Sequence, residues 1–395
     1  MPPRPINTKR ALLRADLPDN FTHCLYKVAP YRGCAHGCRY CDGRAEKYYV
    51  EGDFENDIDI RVDIPTLLSH ELPKVRERGI IAFGSGTTDP YQPCEKEACI
   101  SGRSAKLLAE SAIPIPALVM TKSKLILRDI ELWQAINKRA GFILLVSLTS
   151  LDESLRTLME PGASSFGERI ETLRQFKNAG CTTGVLAMPF LPGLSDSEAS
   201  IRALYCKLHD IGVDYVMPGG LTLRPGRQKD LYIKTLQISH PDLLESTKAL
   251  FSEGRASGTP HWTARRNLHS LFRKIQRDFE IPWLLPHKIY SKILPVHDTL
   301  RILFRDMLEL YEAKGTDTSS LVKSAKHYDT WLIELRRQFR RKRSYPDKWL
   351  EERFYEASAD GELDTILANS KLSAFSHKVI YDGAIFNYQK LRLEN

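Results

Sequence analysis

Residues 29–44 read APYRGCAHGCRYCDGR, and the three cysteines in this stretch decide how the chain is read. Cys34, Cys38 and Cys41 stand at the spacing Cys-x3-Cys-x2-Cys, with Gly33 and Gly37 interleaved, directly after the apolar run HCLYKVA (23–29). A loop of this kind can wrap one face of an iron-sulfur cubane and give one thiolate to each of three irons. The fourth iron then has no protein ligand, and an open coordination position is what a catalytic metal centre needs and a structural one does not. The alternative is a structural zinc site completed by His36 or His23. The usual zinc pattern pairs two Cys-x2-Cys hooks, and a second hook is missing.

Outward from the cysteines, short apolar or β-branched runs alternate with helical patterns. IIAFGSG (80–86), ALVMTKS (117–123), FILLVSLTS (142–150), TTGVLAMPFLPG (182–193) and DYVMPGGLTL (214–223) read as buried strands. Between them lie GRSAKLLAESA, LRDIELWQAINKRA, FGERIETLRQFKNAG and SDSEASIRALYCKLHDIG, which carry helical periodicity. Ser195 is placed to cap with Glu198 three residues on, and Gly180 and Gly212 suit positions just past helix ends. Strands alternating with helices imply a parallel sheet. Counting 23–29, there are six β/α units over residues 23–226, too few for an eight-stranded barrel. An N-terminal arm, 1–22, precedes them.

Past about residue 227 the alternation stops, and 227–395 reads as a mostly helical extension. TLRILFRDMLELYEAKG sets Leu300, Phe304, Leu308 and Tyr311 on one face with Gly315 as a stop. DTWLIELRRQFRRKR pairs an apolar stripe of Trp331, Leu335 and Phe339 with Arg336, Arg337, Arg340, Arg341 and Arg343. The net charge of +8 is concentrated here, since residues 261–395 hold 24 Lys and Arg against 18 Asp and Glu. Several arginines on one face could neutralise a phosphate backbone, which makes nucleic acid a candidate partner, with a solvated helix face as the plainer fate. The 395 residues are 42% hydrophobic, enough for a sizeable core. An apolar leader and any run of about 18 apolar residues are both missing, so a soluble cytoplasmic protein is expected. The eight cysteines are too sparse for a disulfide scaffold. Cys24, Cys181 and Cys206 read as small core residues.

The cysteine motif with aromatic Tyr40 before its last cysteine resembles the radical S-adenosylmethionine (SAM) motif. More narrowly, PYRGCAHGCRYC, then GSGTTDPYQPCE, then TKS resemble the spore photoproduct lyase-like branch of that superfamily. The resemblance implies a six-stranded partial (β/α)6 TIM-like barrel, a [4Fe-4S] cluster on Cys34, Cys38 and Cys41, and SAM bound through its amino and carboxylate groups to the open iron. It further implies an electron donor such as a flavodoxin or ferredoxin, and a 5′-deoxyadenosyl radical that abstracts hydrogen from substrate. Residue by residue, Tyr40 matches an aromatic packed near the adenine, Lys122 a lysine that pairs with the SAM carboxylate, Thr88 a hydroxyl near the SAM amino group, and Ser147 another SAM contact. Asp89 is either a turn residue before Pro90 or a polar ligand contact.

The chain departs from that branch in two places. Cys41 is followed by Asp42, Gly43 and Arg44 where relatives carry Tyr-Ala-Arg. Gly86 stands where the true lyases place a hydrogen-donating cysteine, which argues against repair of spore photoproduct. A radical on product would then be quenched by Cys94 or Tyr91, both on the loop DPYQPCE, or by hydrogen returned from 5′-deoxyadenosine. The competing reading of the whole chain is a metal-stabilised nucleic-acid-binding protein without radical chemistry, which has no need of the ordered β/α series.

Overall fold

The computed structural model describes residues 3–50, 52–84 and 86–394. Its strands are β1 (Arg4–Ile6), β2 (Leu13–Arg14), β3 (Cys24–Val28), β4 (Tyr31–Arg32), β5 (Asp59–Arg61), β6 (Ile80–Phe83), β7 (Ala117–Thr121), β8 (Phe142–Ser147), β9 (Thr182–Phe190), β10 (Tyr215–Gly220), β11 (Ile385–Asn387) and β12 (Arg392–Glu394). The central sheet runs β10-β9-β8-β7-β6-β3-β2. The pairs β7 with β8, β8 with β9 and β9 with β10 are parallel. All six expected strands are in it, but the sheet has seven, because Leu13–Arg14 adds an edge beside β3. Two residues are too few to carry a periodic signal, so this pairing could not be read from the arm. β6 is buried throughout, as is β8 up to its last residue, Ser147. Such continuous apolar runs are what a parallel sheet covered on both faces requires.

The connecting helices form where the patterns place them, and their ends follow local chemistry. Helix Phe166–Asn178 opens with a capping box of Ser165 and Glu168. Helix Glu198–Ile211 ends at Gly212, whose φ of +73° is left-handed backbone that glycine adopts freely. Its cap is Ser197, whose side chain accepts from the Ser200 amide, and Ser195 is not the cap. The Ser195 hydroxyl accepts instead from Leu191 N at 2.9 Å, inside the preceding turn. Cys24 and Cys181 are buried as expected, but Cys206 is exposed. It falls off the stripe of Ile201, Leu204, Tyr205 and Leu208 that this helix buries.

The chain divides into two compact units, Met1–Leu12 with Lys27–Pro73 and Ala82–Trp283, and Leu13–Tyr26 with Lys74–Ile81 and Leu284–Asn395. Segment 227–283 thus belongs with the β/α series in this division. Among the described residues of 227–394 the strands are those of the hairpin β11-β12, and the rest is helices and the loops that join them. In the second unit, helix Val296–Glu312 buries Leu300, Phe304 and Leu308, and Gly315 follows it with a φ of +72°. Helix Ser319–Arg341 carries the arginine run. Its Arg336 does not face solvent: the side chain is buried and pairs with Asp298 at 2.6 Å and Glu77 at 3.3 Å. Arg340 pairs with Asp16 at 2.6 Å, leaving Arg337, Arg341 and Arg343 exposed. Among the described residues no helix is long and apolar enough to cross a membrane.

Candidate active site

The cysteine loop follows β3 and β4 and is held from several sides by backbone and side-chain contacts. Cys34 N donates to Phe54 O at 2.9 Å, Arg39 N to Met159 O at 2.9 Å, and Gly162 N to His36 O at 3.0 Å. Gly33 and Gly37 take φ of +78° and +64°, backbone that lets the chain turn between the thiols. Gly162 is needed for close approach, since a Cβ there would stand 2.3 Å from Ala35 O. Arg44 Nε donates to Cys38 O at 3.0 Å. From the far end of the sheet, Gln228 Nε2 donates to Tyr40 O at 2.8 Å and Arg224 Nε to Asp42 Oδ1 at 2.6 Å.

Cys34 and Cys38 are buried, Cys41 is partly buried, and none is in a disulfide. Burial, then Asp89 and the other two thiols, pushes the Cys34 thiol well up. Burial, then Glu160, pushes the Cys38 thiol up to about 12, and burial raises Cys41 as well. Free thiols here are protonated, and coordination to a metal centre is what would make them thiolates. Among the described residues no three His, Cys, Asp or Glu side chains converge as a single metal ion requires. A cubane needs no such convergence, because each thiolate meets a different iron. The His36 ring lies against groups other than the thiols. Its Nδ1 lies 2.9 Å from Gly162 O and its Nε2 3.1 Å from Asp89 Oδ2. His23 packs edge-on against Tyr290, its ring centroid 5.7 Å away, in the second compact unit. The three cysteines therefore fit a cluster with one open iron better than a closed zinc site.

Other expected residues collect at the C-terminal ends of the strands. The Tyr40 hydroxyl donates to the buried Glu160 carboxylate. Lys122, first after β7, lies with its Nζ 3.7 Å from Glu160 Oε1 and 5.9 Å from the Tyr40 ring centroid, and its charge favours the thiolates of Cys38 and Cys41. Thr88 Oγ1 donates to Gly33 O at 2.7 Å, so it braces the cysteine loop. Ser147 ends β8, and its carbonyl accepts from Arg169 Nη1 at 3.0 Å. Asp89 is more than a turn residue. Its carboxylate accepts from Thr121 Oγ1 at 2.7 Å, Lys122 N at 2.8 Å and Tyr91 N at 2.8 Å besides meeting His36. Burial opposes its charge, but His36 and these donors outweigh that and hold its pKa low.

Tyr91 is fully buried, its hydroxyl 3.0 Å from Asp129 Oδ2 and 2.8 Å from Trp133 Nε1. Cys94 stands at the start of the short helix Glu95–Ala98, with its thiol pushed up to about 12 by burial and then by Glu95. A Cβ at Gly86 would meet nothing within 4 Å.

Three residues here escaped the sequence reading. Gln92 accepts from Ala35 N at 2.8 Å and donates to Gly33 O and Thr88 Oγ1, both at 3.2 Å. Glu160 and Arg169 form a buried ion pair. Burial works against the Glu160 charge, yet Arg169, Lys122 and the Tyr40 hydroxyl hold its pKa at about 2. Arg169 did leave a signal, since it interrupts the apolar stripe Phe166, Ile170, Leu173 and Phe176 of its helix.

A cavity of about 850 Å³ opens at the ends of β9 and β10, lined by Phe190, Leu221, Phe251, Trp262, Arg265 and His269 among others. Leu221 and Phe251 also belong to the apolar cluster that holds Cys38 and Tyr40, so the cavity and the cysteine loop share a wall. Helix Trp262–Phe279 brings Arg265, Arg266 and Arg273 to the lining, and Arg266 lies 4.8 Å from the centroid of the exposed Trp262 ring.

Residues 28–204 match the family model of the radical SAM superfamily. The chain belongs to the radical SAM superfamily. It is 30% identical over 234 residues to uncharacterized proteins of Mycobacterium bovis (strain ATCC BAA-935 / AF2122/97) and Mycobacterium tuberculosis (strain ATCC 25618 / H37Rv), covering 58% of this chain and 68% of each relative. A protein of Acidianus two-tailed virus is 29% identical over 204 residues, 47% of this chain and 63% of its own. Spore photoproduct lyase, solved with bound AdoMet and dinucleoside spore photoproduct, superimposes with a TM-score of 0.51 at 16% identity, over 67% of this chain and 77% of its own. That likeness is one of fold, and it bears out the resemblance to the lyase-like branch at that level. The protein is thus a radical SAM enzyme with an α/β fold, and the cysteine loop lies inside the matched segment.

Proposed function

We propose that this radical SAM enzyme holds a [4Fe-4S] cluster on Cys34, Cys38 and Cys41, binds SAM beside it, and abstracts hydrogen from an anionic substrate, with nucleic acid as the candidate. With both bound and one electron delivered by a flavodoxin- or ferredoxin-type partner, the site is supplied with a 5′-deoxyadenosyl radical and methionine. The single observation that carries the reading is the loop of three thiols, two buried and one partly buried, beside which the His36 ring lies against Gly162 O and Asp89 Oδ2. Anaerobic reconstitution followed by iron and sulfide analysis and an assay for 5′-deoxyadenosine tests it. Stoichiometric zinc with no uptake of iron and sulfide would favour the nucleic-acid-binding alternative.

The chain's own residues have distinct parts in this reading. Lys122 supplies a cation for the SAM carboxylate, the Tyr40 ring a flat surface beside the adenine, Thr88 a hydroxyl near the SAM amino group, and Ser147 a further SAM contact. Strand ends and the covering helices keep water from a reactive radical. The cavity takes substrate, with Arg265, Arg266 and Arg273 meeting negative charge and Trp262 offering a face on which a base can stack. This helix is better placed for phosphate than the arginine run of 336–343, whose Arg336 is buried and whose Arg340 is paired. In this reading an arm at 1–22 precedes the radical SAM portion at 23–226, and the helical extension at 227–395 divides after residue 283 between the two compact units.

A charge-assisted contact is worth about 1.5 to 3 kcal/mol, so Lys122→Ala weakens SAM binding by roughly ten- to a hundredfold with the cluster retained. Unchanged affinity by calorimetry on the reconstituted variant would remove Lys122 from the site. For the end of the reaction, Cys94 is a better relay than Tyr91, whose hydroxyl is already committed to Asp129 and Trp133. Cys94→Ala is expected to cleave SAM and lose product, and a variant with full product yield would dismiss the relay.

A further inference from the structure

We infer that Glu160 is a positioning residue: its carboxylate, anchored by Arg169, fixes the Lys122 ammonium and the Tyr40 ring for the ligand held beside the cysteines. The inference rests on the radical SAM reading above. Its basis is a convergence that neither the reaction nor the spacing requires. Glu160 is 2% exposed and meets Tyr40 from the cysteine loop, Lys122 from the end of β7 and Arg169 from helix Phe166–Asn178. Arg169 is itself buried, and besides Glu160 it donates to Ser147 O at 3.0 Å and Ser164 O at 2.9 Å. One ion pair thus touches three of the four residues expected to contact SAM.

The geometry explains why an acid is needed there. A lysine side chain is long and rotamer-rich, and holding it in one place removes an entropic cost that would otherwise fall on ligand binding. Lys122 is held at both ends, its backbone N by Asp89 Oδ2 at 2.8 Å and its Nζ by Glu160 Oε1 at 3.7 Å. The Tyr40 hydroxyl donates to the same carboxylate, which sets the ring's orientation. Charge points the same way. One carboxylate faces two cations, Lys122 and Arg169. The Arg169 side chain is fully buried whereas that of Lys122 keeps 15% of its surface open, so Lys122 is the cation an arriving anionic group can reach.

A double-mutant cycle tests this. Iron and sulfide content and SAM affinity by calorimetry are measured on the reconstituted wild type, Glu160→Gln, Lys122→Met and the double variant. Glu160→Gln should retain the cluster yet weaken SAM binding about tenfold or more, and should add less than about threefold in the Lys122→Met background. Wild-type affinity in Glu160→Gln overturns the inference, and so does an equal loss in both backgrounds, which marks a merely structural acid. If Glu160→Gln fails to fold because Arg169 is left unpaired, Glu160→Gln/Arg169→Gln removes the pair together and is compared with and without Lys122→Met. Wild-type affinity in that pair-free protein likewise overturns the inference. A wild type that loads the cluster but binds no SAM would instead overturn the radical SAM reading, and this inference with it.

Discussion

Alanine in place of any one of Cys34, Cys38 or Cys41 abolishes both stable iron-sulfur loading and 5′-deoxyadenosine formation. The expected loss is complete rather than graded because the three thiols act as one donor set. In the proposed cluster each would serve a different iron, so two remaining thiolates would leave an edge of the cubane open to solvent and oxygen. The setting sharpens the effect, since Cys34 and Cys38 are buried and burial raises the pKa of all three thiols. Only coordination offsets that desolvation. Cys206→Ala is the control, because Cys206 is exposed on helix Glu198–Ile211 and should leave iron content unchanged. Iron and sulfide per chain after anaerobic reconstitution decide the matter. A cysteine variant that loads and cleaves SAM like the wild type sinks the cluster assignment, and equal zinc binding by all four proteins sinks it as well.

Arg336→Met destabilises the protein by about 3 to 5 kcal/mol, although its position in the sequence suggests a surface arginine. The guanidinium is buried and pairs with Asp298 at 2.6 Å and Glu77 at 3.3 Å, both themselves buried. Burial would push its pKa down, but Asp298 and Glu77 outweigh that and keep it charged. Removing the cation leaves two carboxylates without their partner in a low-dielectric setting, which is why the loss exceeds the worth of an ordinary ion pair. Glu77 keeps a pairing with Arg14, which limits the damage on that side. Arg337→Met, at the exposed neighbouring position, should shift stability by less than about 0.5 kcal/mol. Denaturant midpoints for the two variants make the comparison, and equal small shifts would show that the buried network does not hold this unit together.

The sequence by itself determined the features that rest on local physics. Six strands were legible because a strand covered on both faces must be apolar along its whole length, as IIAF and FILLV are. The helix ends at Gly212 and Gly315 followed from the one residue that adopts left-handed backbone freely. The cysteine loop was legible because ligand spacing within eight residues is itself a local property. What tertiary structure alone decided was pairing across distance. The two-residue strand Leu13–Arg14 exists because β3 offers it an edge. The arginine run looked uniform, yet the face that carries Arg336 is set by where Asp298 and Glu77 lie, and helical periodicity cannot say which charged residue meets a buried partner. Glu160 likewise reads as one acid among 49 Asp and Glu until folding brings it to Tyr40, Lys122 and Arg169. Periodicity and spacing report on a segment's own backbone, whereas a buried charge is tolerated only by partners that the rest of the chain delivers.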